Sequence, residues 1–256
     1  MTELYNQVVE LIRRDVVQYT PQLFYSEDHT PESEPLAFAS SVLINYRNDF
    51  LLITAGHVFQ NEDPNTIGIM LQDEFCVIGG MLKGFDLNDE DTYNPKNLDI
   101  AIFKLDETTV NMFKEQYRFL ELNSFIPFSS IDARYLIFGY PAELTINNAS
   151  TKTIVPKSMS LRTIGADFSY YKNDIDINKT IILLADQENI ASSNIESATK
   201  ISDLGGISGC GVWKVINLSI ENPQYELVSF ITGEDEFKTI LYSSRLNIVL
   251  DLLKYF

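Results

Sequence analysis

Histidine is nearly missing from this 256-residue chain: only His29 and His57 occur. Cysteine is as scarce, with Cys76 and Cys210, and there is a single tryptophan. So few His and Cys cannot build a His-rich metal site, and no EF-hand-like spacing of acids appears. No metal and no cofactor are therefore expected. Basic residues are also short, with 19 Lys and Arg against 36 Asp and Glu, for a net charge of −17. Such a chain repels phosphates and anionic lipid, which argues against nucleic acid and membrane as partners. Long apolar runs are lacking as well, and none approaches the roughly 20 residues of a membrane span. The opening MTELYNQVVELIRRD has helical amphipathicity, not the charged start and unbroken apolar core of a secretory signal. A cytoplasmic location, with reduced thiols, is the expectation.

What remains is ample for a globular fold. Apolar residues make up 45% and aromatics 12%, enough for one substantial core or two small lobes packed together. Leu4, Val8, Leu11, Ile12 and Val16 recur at helical spacing, predicting a helix over 3–17. A polar loop follows over 26–35. Short apolar segments then succeed one another: LAFASSVLINY, FLLITAGHVF, IGIML, EFCVIGGML and LDIAIFKL. After a partly helical passage over 107–122 comes a second series, RYLIFGYP, SMSLRTIG, TIILLAD, GCGVWKV and YELVSFITG. Helical spacing returns through Leu246, Val249, Leu250 and Leu253. Two groups of about five to six strands, bracketed by helices, predict an all-β protein built as paired antiparallel barrels or a sandwich. No repeat and no flexible linker interrupts it.

Three segments carry chemistry. In LLITAGHVF, His57 follows an apolar strand and three small residues. Imidazole, with an ordinary pKa of about 6.5, suits proton transfer at neutral pH. In LDIAIFKL, Asp99 opens a largely buried strand, where a carboxylate needs hydrogen-bond donors. In GGISGCGVW, residues 205–213, one hydroxyl, that of Ser208, stands among glycines. Gly206 and Gly209 leave backbone N–H groups bare beside it, as stabilisation of an oxyanion requires. Each segment alone has a plain structural reading: a packed histidine, an exposed strand start, a tight turn. Together they supply a nucleophile, a base and an acid to orient the base. Their order along the chain is His57, Asp99, Ser208.

With these motifs the chain resembles the chymotrypsin/trypsin-like serine peptidases, in particular divergent intracellular bacterial members. TAGH at 54–57 is similar to the family's TA(A/G)H, LDIAIFKL to its Asp-bearing strand, and GISGCGVW to its GxSGxP segment. FGYP at 138–141 resembles an element early in the family's second barrel. The resemblance spans about residues 36–233. It implies a chymotrypsin-like double β-barrel: residues 1–120 as the N-terminal helix and first barrel, 121–256 as the second barrel and C-terminal helix. It also implies roles: His57 as general base and then acid, Asp99 as its orienting partner, Ser208 as nucleophile. The N–H groups of Gly206 and Ser208 would form the oxyanion hole. For substrate binding it points to Ser202 or Asp203 at the pocket base, and to Ser229, Phe230 and Ile231 on a strand that pairs with an extended peptide.

The chain departs from the family in four places. Ile207 stands where zymogens carry an aspartate that pairs with a newly cut amino terminus, so activation by N-terminal trimming is not expected. Cys210 and Gly211 replace the usual Gly-Pro; Cys210 reads as a small apolar strand residue. The family's disulfides are missing. The pocket base is ambiguous between Ser202 and Asp203. The expected function is a serine endopeptidase acting on peptides or proteins, restrained by narrow specificity or by a regulatory protein partner. The resemblance extends to trypsin-like domains of bacterial antiviral defence, and that is the context it implies. The competing expectation is a non-catalytic peptide- or protein-binding module on the same fold. An α/β-hydrolase esterase fits poorly, because there the serine precedes the acid and the histidine.

Overall fold

The computed structural model describes residues 3–26, 34–59, 63–85, 99–122, 133–148, 153–171, 175–185, 190–192, 204–235 and 239–253. Strands dominate it. In the first half, a four-stranded sheet runs in the order Leu36–Ser40, Gln22–Tyr25, Ile67–Leu71, Glu74–Val77. A five-stranded sheet runs Gly80–Phe85, Ile100–Leu105, Asp49–Thr54, Val42–Tyr46, Leu120–Glu121. Only Ser41 separates Leu36–Ser40 from Val42–Tyr46, and only Ile78 and Gly79 separate Glu74–Val77 from Gly80–Phe85. Each pair is therefore one bent strand passing from one sheet to the other, and these two corners close a barrel. In the second half a seven-stranded sheet runs Thr180–Leu184, Ile240–Arg245, Tyr225–Glu234, Gly211–Val215, Arg134–Gly139, Met159–Ile164, Ile190–Ser192. A bridge between Gly165 and Leu183, with Ala166 N–H donating to Ile182 C=O at 2.9 Å, joins Met159–Ile164 to Thr180–Leu184 and closes the second barrel. The fold is thus the all-β, chymotrypsin-like double barrel with a helix at each end.

Alternation along the strands sorts side chains into three cores. Leu43, Leu52, Ala101 and Phe103 point into the first barrel. Tyr135, Ile137, Leu161 and Val212 fill the second. Their strand neighbours Val42, Ile44, Leu51, Ile53, Ile100 and Ile102 meet Leu136, Phe138, Trp213 and Phe230 in a third core between the barrels. Strands buried on both faces explain why the sequence reads as continuous apolar runs rather than alternation. Helix α1 (Glu3–Val16) adds Tyr5, Val8, Val9, Ile12 and Val16 to this third core, and the C-terminal helix Leu246–Leu252 adds Leu246, Val249 and Leu250. The N-terminal helix therefore packs into the core shared by the two barrels. Leu4, expected on the apolar face, is exposed because Tyr5 takes that place.

His57 lies in a 3-10 turn, Gly56–Phe59, just after the strand Asp49–Thr54. The four-residue strand Gln22–Tyr25 and the hairpin of Ile146–Asn148 with Thr153–Val155 carry too few residues to show a period in sequence. Among the described residues no helix is long and apolar enough to cross a membrane.

Candidate active site

Residues 204–210 form two successive tight turns. Ile207 N–H donates to Leu204 C=O at 3.1 Å, and Cys210 N–H donates to Ile207 C=O at 2.9 Å. Gly206 (φ +95°) and Gly209 (φ +84°) occupy the third position of each turn, where the type II geometry demands a positive φ. The steric surroundings enforce the same choice. A Cβ on Gly209 would lie 2.1 Å from Thr54 Oγ1, and one on Gly206 would lie 2.5 Å from Ala142 N. The glycine-rich stretch is thus both a turn and a close approach between barrels. Ser208, half-buried, takes the second position of the second turn and faces the first barrel.

Across the gap stands His57. Its Nε2 lies 3.1 Å from Ser208 Oγ, and its Nδ1 lies 2.6 Å from Asp99 Oδ2. The second carboxylate oxygen, Asp99 Oδ1, accepts the backbone N–H of His57 at 2.7 Å. Asp99 therefore grips the histidine at ring and backbone together. This bidentate hold fixes the ring and supplies the donors that a carboxylate with only 16% of its side chain exposed requires. Gly56 makes room for it, since a Cβ there would come within 2.8 Å of Asp99 Oδ1. The network assigns the ring proton to Nδ1, donating to Asp99, and leaves the Nε2 lone pair facing the Ser208 hydroxyl. The N–H groups of Gly206 and Ser208 donate to no acceptor among the described residues, so two donors remain open beside the hydroxyl.

A cleft of about 130 Å³ opens next to His57 and Ser208, lined by Leu204, Ile207, Ile231, Leu241, Gly233 and Glu234. Ile231 was expected there. Ser229 and Phe230, expected with Ile231 to contact substrate, do not reach the cleft: Ser229 Oγ donates to Ser243 Oγ at 2.9 Å, and Phe230 is packed in the core between barrels. The reason is register. On the Ser208 side, Tyr225–Glu234 is paired only as far as Gly211 opposite Phe230 and the exchange of bonds between Ile231 and Gly209–Cys210. Beyond Ile231 the strand continues paired, among the described residues, only to Ile240–Arg245 on its other edge. Among the described residues, the edge that could take an extended peptide thus begins at Thr232 and Gly233, just beyond the residues expected for it. Gly233 was legible in principle, for a glycine within a strand often marks a close backbone approach, and a Cβ there would meet nothing within 4 Å. Ser202 and Asp203 lie outside the described residues.

Cys210 is fully buried, and burial pushes its thiol well above the ordinary range, which leaves it no role as a competing nucleophile. Sequence reasoning missed Ser40. This buried residue of the first barrel donates its N–H to Ser208 C=O at 3.0 Å and its hydroxyl to Gly206 C=O at 2.8 Å. Nothing in its local sequence marks it.

No family model matches the chain, and no curated protein sequence matches it. Among solved structures, it is similar to the scabies mite inactivated protease paralogue S-I1, at 13% identity and a TM-score of 0.53, with 94% of this chain and 96% of that one covered. It also aligns with Rv3671c from M. tuberculosis H37Rv, a serine-to-alanine mutant in an inactive form, at 13% identity and a TM-score of 0.45, covering 98% of this chain and 91% of that one. At such identity the first likeness speaks for the fold, and the chain shares the chymotrypsin-like protease architecture.

Proposed function

We propose that this chain is a serine endopeptidase whose two halves, 1–120 and 121–256, work as one unit. The observation that carries the reading is the continuous chain of contacts from Asp99 through His57 to Ser208, at 2.6 and 3.1 Å, drawn from both barrels. Ser208 Oγ attacks the scissile carbonyl while His57 Nε2 takes its proton, and Asp99 stabilises the imidazolium. The tetrahedral oxyanion is met by the open N–H groups of Gly206 and Ser208. His57 then passes the proton to the leaving amine, and water clears the acyl-enzyme by the reverse roles. The edge at Thr232 and Gly233 aligns the substrate backbone by strand addition. A pocket as small as the one beside Ser208, about 130 Å³, supports a narrow substrate range.

The non-catalytic alternative gives no reason for these three side chains to be aligned. The two readings part in a peptide-library digest followed by mass spectrometry. The chain is expected to produce a restricted set of internal cleavages that disappear in Ser208→Ala. Cleavage that persists in Ser208→Ala, or brisk and unselective cleavage, contradicts the proposal.

A further inference from the structure

Four peptide planes make up the turn from 205 to 209, and each is pinned by its carbonyl. Gly205 C=O accepts Ala142 N–H at 2.8 Å, Gly206 C=O accepts the Ser40 hydroxyl at 2.8 Å, Ile207 C=O accepts Cys210 N–H at 2.9 Å, and Ser208 C=O accepts Ser40 N–H at 3.0 Å. In a trans peptide the N–H points opposite to the carbonyl, so holding the carbonyls also aims the N–H groups. Two of the four N–H groups are used, Ile207 to Leu204 and Gly209 to Ile231 at 2.7 Å. The remaining two, on Gly206 and Ser208, are the open donors of the site.

Ser40 supplies two of these four anchors from a single fully buried residue, and they fix the planes carrying the Ile207 and Gly209 N–H groups, which flank the plane of the open Ser208 N–H. Its hydroxyl also accepts Tyr140 N–H at 2.9 Å, and its carbonyl accepts the Thr54 hydroxyl at 2.7 Å. One residue thus ties the turn to the first barrel and to the 140–142 segment, with no charged group involved. Ile207, at the position where an activation ion pair would need a carboxylate, is itself buried.

We infer that Ser40 is a positioning residue that fixes the two peptide planes on either side of the Ser208 N–H, and so the shape of the turn that presents the Gly206 and Ser208 donors to the oxyanion, so that the hole stands formed without cleavage of the chain or a charge pair. What the donors bind rests on the peptidase reading; the clamp rests on the hydrogen bonds alone. The test compares Ser40→Ala, which deletes the hydroxyl and keeps the N–H, with Ser41→Ala. Ser41 is an equally buried neighbour whose hydroxyl donates to Pro21 C=O at 3.1 Å and does not touch the turn. Labelling of Ser208 by a fluorophosphonate is followed at several probe concentrations. In Ser40→Ala the limiting rate should fall by about 10- to 100-fold, somewhat less than loss of a whole oxyanion donor, with little change in apparent probe affinity. Ser41→Ala should label at the wild-type rate even where its melting temperature drops. Equal limiting rates in wild type and folded Ser40→Ala overturn the inference. Absence of labelling in wild type would count against the peptidase reading instead, and amide exchange then decides the clamp. Ile207 and Cys210 N–H groups should exchange about tenfold or more faster in Ser40→Ala than in Ser41→Ala. Equal protection in the two variants overturns the inference.

Discussion

Asp99 earns its place through both oxygens, one on the imidazole and one on the backbone N–H of the same histidine. That grip depends on the missing side chain at Gly56, 2.8 Å from Asp99 Oδ1 if a Cβ were added. Gly56 has no positive φ, so Gly56→Ala should fold and act on Asp99, whose carboxylate lies 2.8 Å from the added Cβ and whose link to Ile100 N lies at 3.2 Å. Its probe-labelling rate at Ser208 is expected to fall by about 10²- to 10⁴-fold, the upper bound being the loss when a chymotrypsin-like triad has its carboxylate replaced by an amide. An unchanged rate would show that the bidentate hold contributes nothing. The three chemical residues were legible because each sits in a local setting that betrays it: small residues before His57, an acid at the head of an apolar strand, a hydroxyl among glycines. Ser40 was not, because its meaning lies in a bond to Gly206, 166 positions away. Ser229 and Phe230 look no different in sequence from the residues after them, and only the register of strand pairing separates core from cleft.

Elements differ in how openly they announce themselves. Double-faced burial makes the barrel strands visible as apolar runs, whereas Ile240–Arg245 merges into the final helix with no break. Arg245 at that junction gives no side-chain cap, so the helix start has no signal. The short helix Glu107–Phe113 is the opposite case. Asp106 accepts Thr109 N–H at 2.8 Å as its N-cap, and this bond holds the carboxyl below its ordinary range. Asp106→Ala should cost about 1 kcal/mol at neutral pH. Because the folded pKa is depressed, the contribution is present above the unfolded value of about 3.9 and fades as pH falls through the folded one. Thermal melts of the two proteins at pH 7 and toward pH 3 should therefore converge on acidification. A difference that stays constant or widens with acid would exclude a charged cap.

At the scale of the molecule, the site exists only because the barrels are joined. His57 and Asp99 belong to the first, Ser208 to the second, and the core of Ile44, Ile53, Ile102, Phe138, Trp213 and Phe230 sets their separation, with both terminal helices sealed onto it. The sequence shows that two strand groups and two amphipathic helices exist. It does not show that the helices belong to the interface, since an apolar stripe does not name its partner. The most direct measurement follows from the same division. Wild type and His57→Ala are treated with a fluorophosphonate, and the adduct is mapped by mass spectrometry. The expected result is an adduct on Ser208 in wild type, formed on the order of 10³-fold or more slowly once the base on the other barrel is gone. An adduct on Ser208 that forms equally fast in both proteins, or no adduct at Ser208 in wild type, would contradict the claim that the histidine activates the serine.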